Sequence, residues 1–271
     1  MDYSDFITST LLEAAKIANK NFGKVNGIIK NNDNNQVLTE TDLEIGKYFI
    51  DQVKKHYPNT NIIDEETGVF DCKSNLTWVV DPIDGTSNFA NGLPMFGIMI
   101  GLLKDNQPIT GGVMLPAFDE IYYAEKNKGA FCNGQKIVVT KEKNLQNLLV
   151  NYMIDGHSEN PQLTKKECNL LSEIIIKIRN LRTSNSCFDL MMTAKGKYGA
   201  SLNRTSKVWD NVAPQIIIEE AGGKYTDFIG RPIKYNYSLE ELAKQSFTFC
   251  SASSIIHQQL QQLIAKYNFY N

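Results

Sequence analysis

The spacing of apolar residues predicts two helices within the first sixty residues. The apolar residues that recur at helical spacing between positions 3 and 20 are Phe6, Leu11, Leu12, Ala15 and Ile17. A second helix is expected from about Thr41 to His56, with Thr39 or Thr41 as its N-cap and Pro58 just beyond its end. The polar run at 31–35 predicts a loop between the two helices, because Asn and Asp favour turns.

A strand-like pattern replaces the helical one near residue 61. Short apolar runs at 61–63 and 78–80 predict strands, and each run ends directly on an acidic residue. The next runs are separated by turn residues and predict an antiparallel meander; they lie at 97–103, 109–114, 120–124 and 129–131. Strands and helices alternate after about residue 145. We therefore expect a single domain over 1–271, with an α+β half at 1–145 and an α/β half at 146–271.

Composition narrows the class of protein. Hydrophobic residues make up 42% of the 271 positions, which is enough for a substantial core. The 28 Lys and Arg nearly balance the 30 Asp and Glu, so the charge indicates neither nucleic acid nor an anionic membrane as a partner. Five scattered cysteines indicate reduced thiols rather than disulfides. The chain begins without a signal-peptide pattern, and its apolar runs are too short to span a bilayer, so we expect a cytoplasmic protein.

An acidic turn after the strand at 78–80 is the strongest chemical signal. Asp81 ends the strand, Pro82 interrupts the hydrogen-bonded ladder, and Asp84 follows on the turn. The two carboxylates, with the carbonyl of Ile83 between them, can point at one spot. Oxygen ligands of this kind suit Mg²⁺ or Mn²⁺ rather than zinc. Gly85 and the residues after it predict the start of a helix. The free N–H groups at a helix start can bind phosphate, so we expect a phosphate site beside the metal.

Two further acidic segments could contribute to the same site. Asp64, Glu65 and Glu66 follow the strand at 61–63, and three adjacent acids repel one another unless they are solvated or hold a cation. A solvated loop is the alternative, and it suits Glu66 better than Glu65. Asp210 precedes an apolar helical pattern, where its alternative role is that of an N-cap. A lone Asp-x-x-Asp would most often be only a turn.

These segments together resemble the inositol monophosphatase family. Residues 78–89 resemble its W-x-x-D-P-I-D-G-T-x-N-F signature, and residues 64–67 resemble its G-E-E-S/T element. Residues 209–223 resemble W-D-x-A…E-A-G-G, and residues 39–42 resemble T-x-x-D. Order and spacing agree over nearly the whole chain. The resemblance implies an α+β fold, the layered αβαβα sandwich of the inositol monophosphatase and fructose-1,6-bisphosphatase type, which is usually a homodimer.

The resemblance also implies a reaction, which is the Mg²⁺-dependent and lithium-sensitive hydrolysis of a small phosphate monoester by activated water. The residues it assigns to two or three Mg²⁺ ions, with Mn²⁺ as a possible substitute, are Glu65, Asp81, Ile83, Asp84 and Asp210. Glu65 and the Thr86 hydroxyl would orient and deprotonate the water, and Asp84, Gly85 and Thr86 would hold the phosphate. Asp42 and Glu66 would contact the residues of the site rather than the metal ions themselves. The loop containing Lys30 could close over the substrate.

Some positions depart from the family pattern. Asp64 replaces a usual Gly, and its carboxylate is expected to face solvent rather than to tighten cation binding. Pro214 is expected to be tolerated within a turn or so of Asp210. Asn203 stands where inositol-specific members have Glu, so Asn203 and Arg204 are the expected substrate contacts, with Arg204 available for a second anionic group.

Several substrates and one other role therefore stay open. The alternatives to inositol monophosphate or a similar polyol or sugar phosphate are fructose 1,6-bisphosphate, a phosphoadenosine nucleotide, NADP and histidinol phosphate. A regulatory partner protein with a retained metal site is the remaining alternative. The three histidines at 56, 157 and 257 are expected on the surface rather than in catalysis.

Overall fold

The computed structural model describes residues 2–29 and 37–269, so the loop expected at 31–35 and Lys30 lie outside the described residues. The helices are α1 (Tyr3–Asn21), α2 (Glu40–His56), α3 (Thr86–Ala90), α4 (Pro161–Ile175), α5 (Cys187–Ala194), α6 (Val208–Glu220), α7 (Leu239–Lys244) and α8 (Ser254–Ile264). The first ten strands are β1 (Ile28–Ile29), β2 (Val37–Leu38), β3 (Asn61–Asp64), β4 (Gly68–Phe70), β5 (Leu76–Asp84), β6 (Gly97–Lys104), β7 (Gln107–Leu115), β8 (Glu120–Glu125), β9 (Gly129–Cys132) and β10 (Gln135–Lys136). The last five are β11 (Leu149–Met153), β12 (Asn180–Leu181), β13 (Ala200–Ser206), β14 (Lys224–Thr226) and β15 (Phe247–Ala252).

The two N-terminal helices form as their apolar spacing predicts. Helix α1 buries one face, including Phe6 and Leu11, and helix α2 buries Ile45 and Phe49. Thr39 is the N-cap of α2, and the side chain of Asp42 closes a capping box by accepting from the Thr39 N–H at 2.8 Å. The carboxylate of Asp42 is therefore held at the helix start.

The first large sheet has eight strands in the order β10-β9-β8-β7-β6-β5-β3-β4. Strands β6 to β9 form the predicted antiparallel meander, which β5 and β10 extend on either side, and β3 pairs with β5 in parallel. Side chains alternate across this sheet, so that Trp78 and Val80 pack on α1 and α2 while Val79 faces the opposite layer. Strand β5 extends beyond its predicted end, through Pro82 to Asp84, with a register shift between Asp81 and Asp84.

The second large sheet has five strands in the order β12-β11-β13-β15-β14. Strand β11 runs parallel to β12 and β13, while β15 is antiparallel to β13 and β14. Helices α5 and α6 pack between the two sheets, and α4 and α8 cover the outer face of the second one. The layers from α1 and α2 to α4 and α8 thus follow the order αβαβα, which confirms the expected fold class.

Helix α6 packs unusually close to the first sheet. A Cβ atom added to Gly111 would lie 2.7 Å from Cα of Ala213, so glycine is needed for this approach. Pro214 lies one turn after Asp210, as expected, but α6 already begins at Val208. Proline has no N–H, so the Asp210 carbonyl lacks its usual helical donor. No helix in residues 2–29 and 37–269 is long and apolar enough to cross a membrane.

Candidate active site

Three aspartates converge where the two halves of the chain meet. Asp81 and Asp84 lie at the end of β5, and Asp210 lies in the first turn of α6. Oxygen atoms from the three carboxylates lie within 4.8 Å of one another. Asp81 is only 1% exposed, and its Oδ1 atom has no hydrogen-bond partner. A buried carboxylate oxygen without a donor fits a cation site.

Burial and mutual repulsion disfavour the ionised forms of these acids. Burial, followed by the charges of Glu65 and Asp84, raises the pKa of Asp81 well above its ordinary value. Burial also raises the pKa of Asp84 to about 6. Burial and the charge of Asp84 raise the pKa of Asp210 to about 7. A divalent cation would relieve this repulsion, and an oxygen-only donor set suits a hard ion such as Mg²⁺ or Mn²⁺.

Backbone N–H groups orient two of the three aspartates. The N–H of Cys187 donates to Oδ2 of Asp84, and the N–H of Lys207 donates to Oδ2 of Asp210 at 2.6 Å. Asp210 is therefore the third residue of α6, and Lys207 is the N-cap. The alternative of Asp210 as an N-cap was wrong, because the helix begins two residues earlier than its apolar pattern indicates.

The turn after β5 is held in place by contacts with Ser186 and Asp42. Gly85 has φ +79°, and a Cβ atom there would lie 2.8 Å from Cβ of Ser186, so only glycine fits. Helix α3 then begins at Thr86, as predicted. The Thr86 hydroxyl lies 2.8 Å from the Ile83 carbonyl, to which it donates, and 3.2 Å from Oδ1 of the buried Asp42. Asp42 thus contacts the turn from the side of α2.

The acidic segment after β3 divides into three environments. Glu65 lines the cavity beside the aspartates, and its N–H donates to the carbonyl of Val80 at 3.2 Å. Glu66 is partly buried and lies outside the set of described residues that line the cavity. Asp64 is 1% exposed, and its Oδ1 accepts from the N–H of Thr67 at 2.8 Å. The expectation that Asp64 faces solvent was wrong, because this carboxylate caps the β3–β4 turn.

A cavity of about 830 Å³ extends from the aspartates to the second sheet. The polar residues on its far wall were not anticipated; they include Asp155, His157, Asn185, Thr205 and Lys207. One feature could have located two of these residues from the sequence: Asp155 and Thr205 lie at the carboxyl ends of β11 and β13, which are parallel neighbours. Such ends meet at one edge of a sheet, where ligands commonly bind.

All three histidines were expected on the surface, but two of them are buried or partly buried. His157 is partly buried at the cavity wall, and its Nε2 atom lies 2.7 Å from Oε2 of Glu167. His257 is 5% exposed and contacts the hydroxyl of Thr226 at 2.8 Å. His56 alone is exposed. The burial of a histidine side chain depends on packing between elements that are distant in sequence, so no local sequence pattern predicts it.

Asn203 and Arg204 lie on opposite faces of β13. Asn203 lines the cavity and is 6% exposed. The Nε atom of Arg204 lies 3.7 Å from Oε1 of Glu167, and its guanidinium carbon lies 4.4 Å from the Phe269 ring centre and 5.1 Å from that of Phe228. The geometry contradicts the expectation that Arg204 contacts substrate, because neighbouring residues of a strand point to opposite faces.

Replacing Arg204 with Ala should therefore destabilise the protein without changing substrate preference. Cation–π contacts and a buried carboxylate partner are lost, which costs about 1–3 kcal/mol in the free energy of unfolding. Urea unfolding and specificity constants for a monophosphate and a bisphosphate measure the two effects. Arg231→Ala is the matched control, since the side chain of Arg231 is 71% exposed and pairs with Asp227. A selective loss on bisphosphates would contradict this placement.

Known proteins with the same pattern are similar to this chain over most of its length. The model of the inositol monophosphatase family matches residues 3–267. The chain is 32% identical over 231 residues to the fructose-1,6-bisphosphatase/inositol-1-monophosphatase of Aquifex aeolicus, covering 82% of this chain and 86% of that protein. It is 31% identical over 239 residues to inositol monophosphatase 1 of Bos taurus, covering 86% and 84%. The structure of an IMPase from Thermotoga maritima superposes with a TM-score of 0.85 at 26% identity, covering 98% of each chain. The chain therefore belongs to the inositol monophosphatase family, and it is a phosphatase hydrolase.

Proposed function

We propose that this protein hydrolyses a monophosphate ester of inositol or of a similar polyol or sugar, with Mg²⁺ as its cofactor. The observation that carries the proposal is the convergence of Asp81, Asp84 and Asp210 beside the Gly85–Thr86 turn, at one end of a polar cavity. Several relatives are named inositol monophosphatases, which supports the substrate class.

The residues proposed as metal ligands are Glu65, Asp81, the Ile83 carbonyl, Asp84 and Asp210. The orphaned Oδ1 atom of Asp81 and the raised pKa values of the aspartates support this set. We propose two or three Mg²⁺ ions, with Mn²⁺ as a substitute and with sensitivity to lithium. When bound, such ions neutralise phosphoryl oxygens, acidify water and stabilise the leaving oxygen.

The chain's own residues are proposed to handle the water and the phosphate. Glu65 accepts the proton of the attacking water, and the Thr86 hydroxyl orients that water from the other side. The N–H groups of Gly85 and Thr86 hold the phosphate, and the carboxylate of Asp84 lies beside it. Asp42 acts through Thr86, whose hydroxyl it contacts at 3.2 Å. Glu66 is proposed to support Glu65 from behind.

Fructose 1,6-bisphosphate is the second candidate substrate, because relatives from Aquifex aeolicus and Thermotoga maritima carry both activities in their names. The position of Arg204, away from the cavity, weakens this candidate. We also propose a homodimer in a reducing compartment such as the cytoplasm, where the five unpaired cysteines of the described chain are stable. One domain over 1–271 is supported by α6, which contacts strands of both large sheets.

A phosphate-release panel on purified protein tests the proposed function. The panel contains inositol 1-phosphate, fructose 1,6-bisphosphate, a phosphoadenosine nucleotide, NADP and histidinol phosphate, each with Mg²⁺. We expect inositol 1-phosphate or a related polyol monophosphate to have the highest specificity constant. Turnover confined to a nucleotide substrate would overturn the proposed substrate class, and no turnover on any ester would favour a regulatory role.

A further inference from the structure

A carboxylate lies in the cavity wall contributed by the second half of the chain, separate from the aspartates that converge near Glu65. Asp155 follows β11 and lines the cavity. Its Oδ1 atom accepts from Nδ2 of Asn185 at 2.9 Å, and its Oδ2 atom accepts from the hydroxyl of Thr205. The two donors come from different segments, so the carboxylate is held in one orientation. Each oxygen has a further lone pair, which can accept from a bound molecule.

The side chain of Asn203 makes its hydrogen bonds within the protein, mainly to Thr205 on the same strand. Its Oδ1 atom accepts from the N–H of Thr205 at 2.6 Å, and its Nδ2 atom lies 3.3 Å from the Thr205 hydroxyl and 3.5 Å from the Met153 carbonyl. Asn203 therefore orients Thr205, and Thr205 in turn holds Asp155. The charged acceptor at this end of β13 is therefore the carboxylate of Asp155.

The charges on this wall favour a donor-rich leaving group over an anionic one. Of the described residues that line the cavity, only Lys207 and His157 are basic. The ammonium of Lys207 donates to the Lys244 carbonyl at 3.0 Å and to the Ser246 hydroxyl at 3.1 Å. The Nε2 atom of His157 is paired with Glu167. Both basic groups are thus already held by partners on the protein, and the carboxylates of Asp155 and of Glu159, which also lines the cavity, repel a second phosphate.

We propose that Asp155 determines substrate specificity by accepting hydrogen bonds from hydroxyl or ammonium groups of the leaving alcohol, and that it selects against a second phosphate. The proposal rests on the proposed function, since it presumes that a phosphate ester occupies the cavity with its phosphate at the aspartate end. It places the leaving group against the loop after β11 and the end of β13.

Specificity constants of the wild type and the Asp155→Asn variant test this role on inositol 1-phosphate, fructose 1,6-bisphosphate and 4-nitrophenyl phosphate. The variant keeps the shape and removes the charge. We expect the constant for inositol 1-phosphate to fall about ten- to hundredfold, as for a lost hydrogen bond to a charged group. The constant for 4-nitrophenyl phosphate, which has no hydroxyl donor, should change less than about threefold. The constant for the bisphosphate should rise relative to that for inositol 1-phosphate.

Two further variants separate a specificity role from a structural one. Thr205→Ala keeps the carboxylate but removes one brace, so it should shift the same ratios in the same direction by a smaller factor. Asp51→Asn removes an exposed charge on α2 and should leave all ratios unchanged. Equal losses on all three esters, or unchanged ratios in Asp155→Asn, would overturn this inference while the proposed function stands. A wild type inactive on all three esters would overturn both.

Discussion

Asp84→Asn should lower the rate of phosphate release about a hundred- to a thousandfold at saturating Mg²⁺. Enzymes lose a similar factor in rate when one electrostatic contact to the transition state is removed. The substitution keeps the shape of the side chain and removes one negative charge from the proposed ligand set. The N–H of Cys187, which donates to Oδ2 of Asp84, can still donate to the amide oxygen of Asn. The fold should therefore survive while the affinity for the cation falls.

Circular dichroism and thermal unfolding check the fold of this variant, and a phosphate-release assay measures its rate. Asp51→Asn makes the same chemical change on an exposed part of α2 and should retain wild-type activity. In the absence of metal, Asp84→Asn should be more stable than the wild type, because one of three mutually repelling acids has become neutral. Near-normal turnover by a folded Asp84→Asn protein would contradict the ligand assignment.

Chelation of divalent ions should abolish turnover entirely. EDTA followed by desalting should leave no measurable phosphate release, Mg²⁺ should restore it, and Mn²⁺ should restore it in part. Ca²⁺ should inhibit, because its larger and more variable coordination shell misplaces the attacking water. Activity that persists in EDTA would contradict the whole mechanism. Readdition of Mg²⁺ to the same sample is the control for irreversible damage.

The chelated protein should also lose stability as pH rises. Burial and neighbouring acids raise the pKa of Asp84 to about 6 and that of Asp210 to about 7, above the ordinary Asp value of 3.8. The folded state therefore holds protons that the unfolded state releases, so their contribution to the free energy of unfolding is complete below about pH 4 and is lost as the pH rises through about 6 to 7. Mg²⁺ binds the ionised carboxylates, so the rise in thermal midpoint on adding Mg²⁺ should be larger at pH 8 than at pH 5. A midpoint in EDTA that increases from pH 5 to pH 8 would contradict this account.

Local patterns predicted most of the first half of the chain. Alternation and turn residues located the meander, and the capping signal at Thr39 or Thr41 placed the start of α2 within one residue of Glu40, where it begins. The same logic placed Asp81 and Asp84 at a strand end, because a polar residue after a buried strand lies at the edge of a sheet. Strand β5 nevertheless runs on to Asp84, since pairing with β6 resumes there after a register shift. Pairing of this kind is not visible in the strand's own sequence.

The far wall of the cavity depended on contacts between distant segments. Asp155, Asn185 and Thr205 are separated by 20 to 50 residues, so no spacing rule links them. Asp64 and Arg204 are residue types usually found at the surface, yet the carboxylate of Asp64 is buried and caps the β3–β4 turn, and the guanidinium of Arg204 lies over the rings of Phe228 and Phe269. Their environments follow from which face of a strand they occupy and from what packs on that face.

The amino-acid sequence by itself determined the family motifs and the segment that bears the first two aspartates, because these are short runs of residues, and the resemblance to the family implied the layered fold class. Only the tertiary structure decided that Arg204 faces away from the cavity, that the carboxylate of Asp64 is buried, and that Asp155 lies in the cavity wall. The physical reason is that side-chain direction alternates every residue along a strand, while the partner across a cavity is set by how helices pack between two sheets.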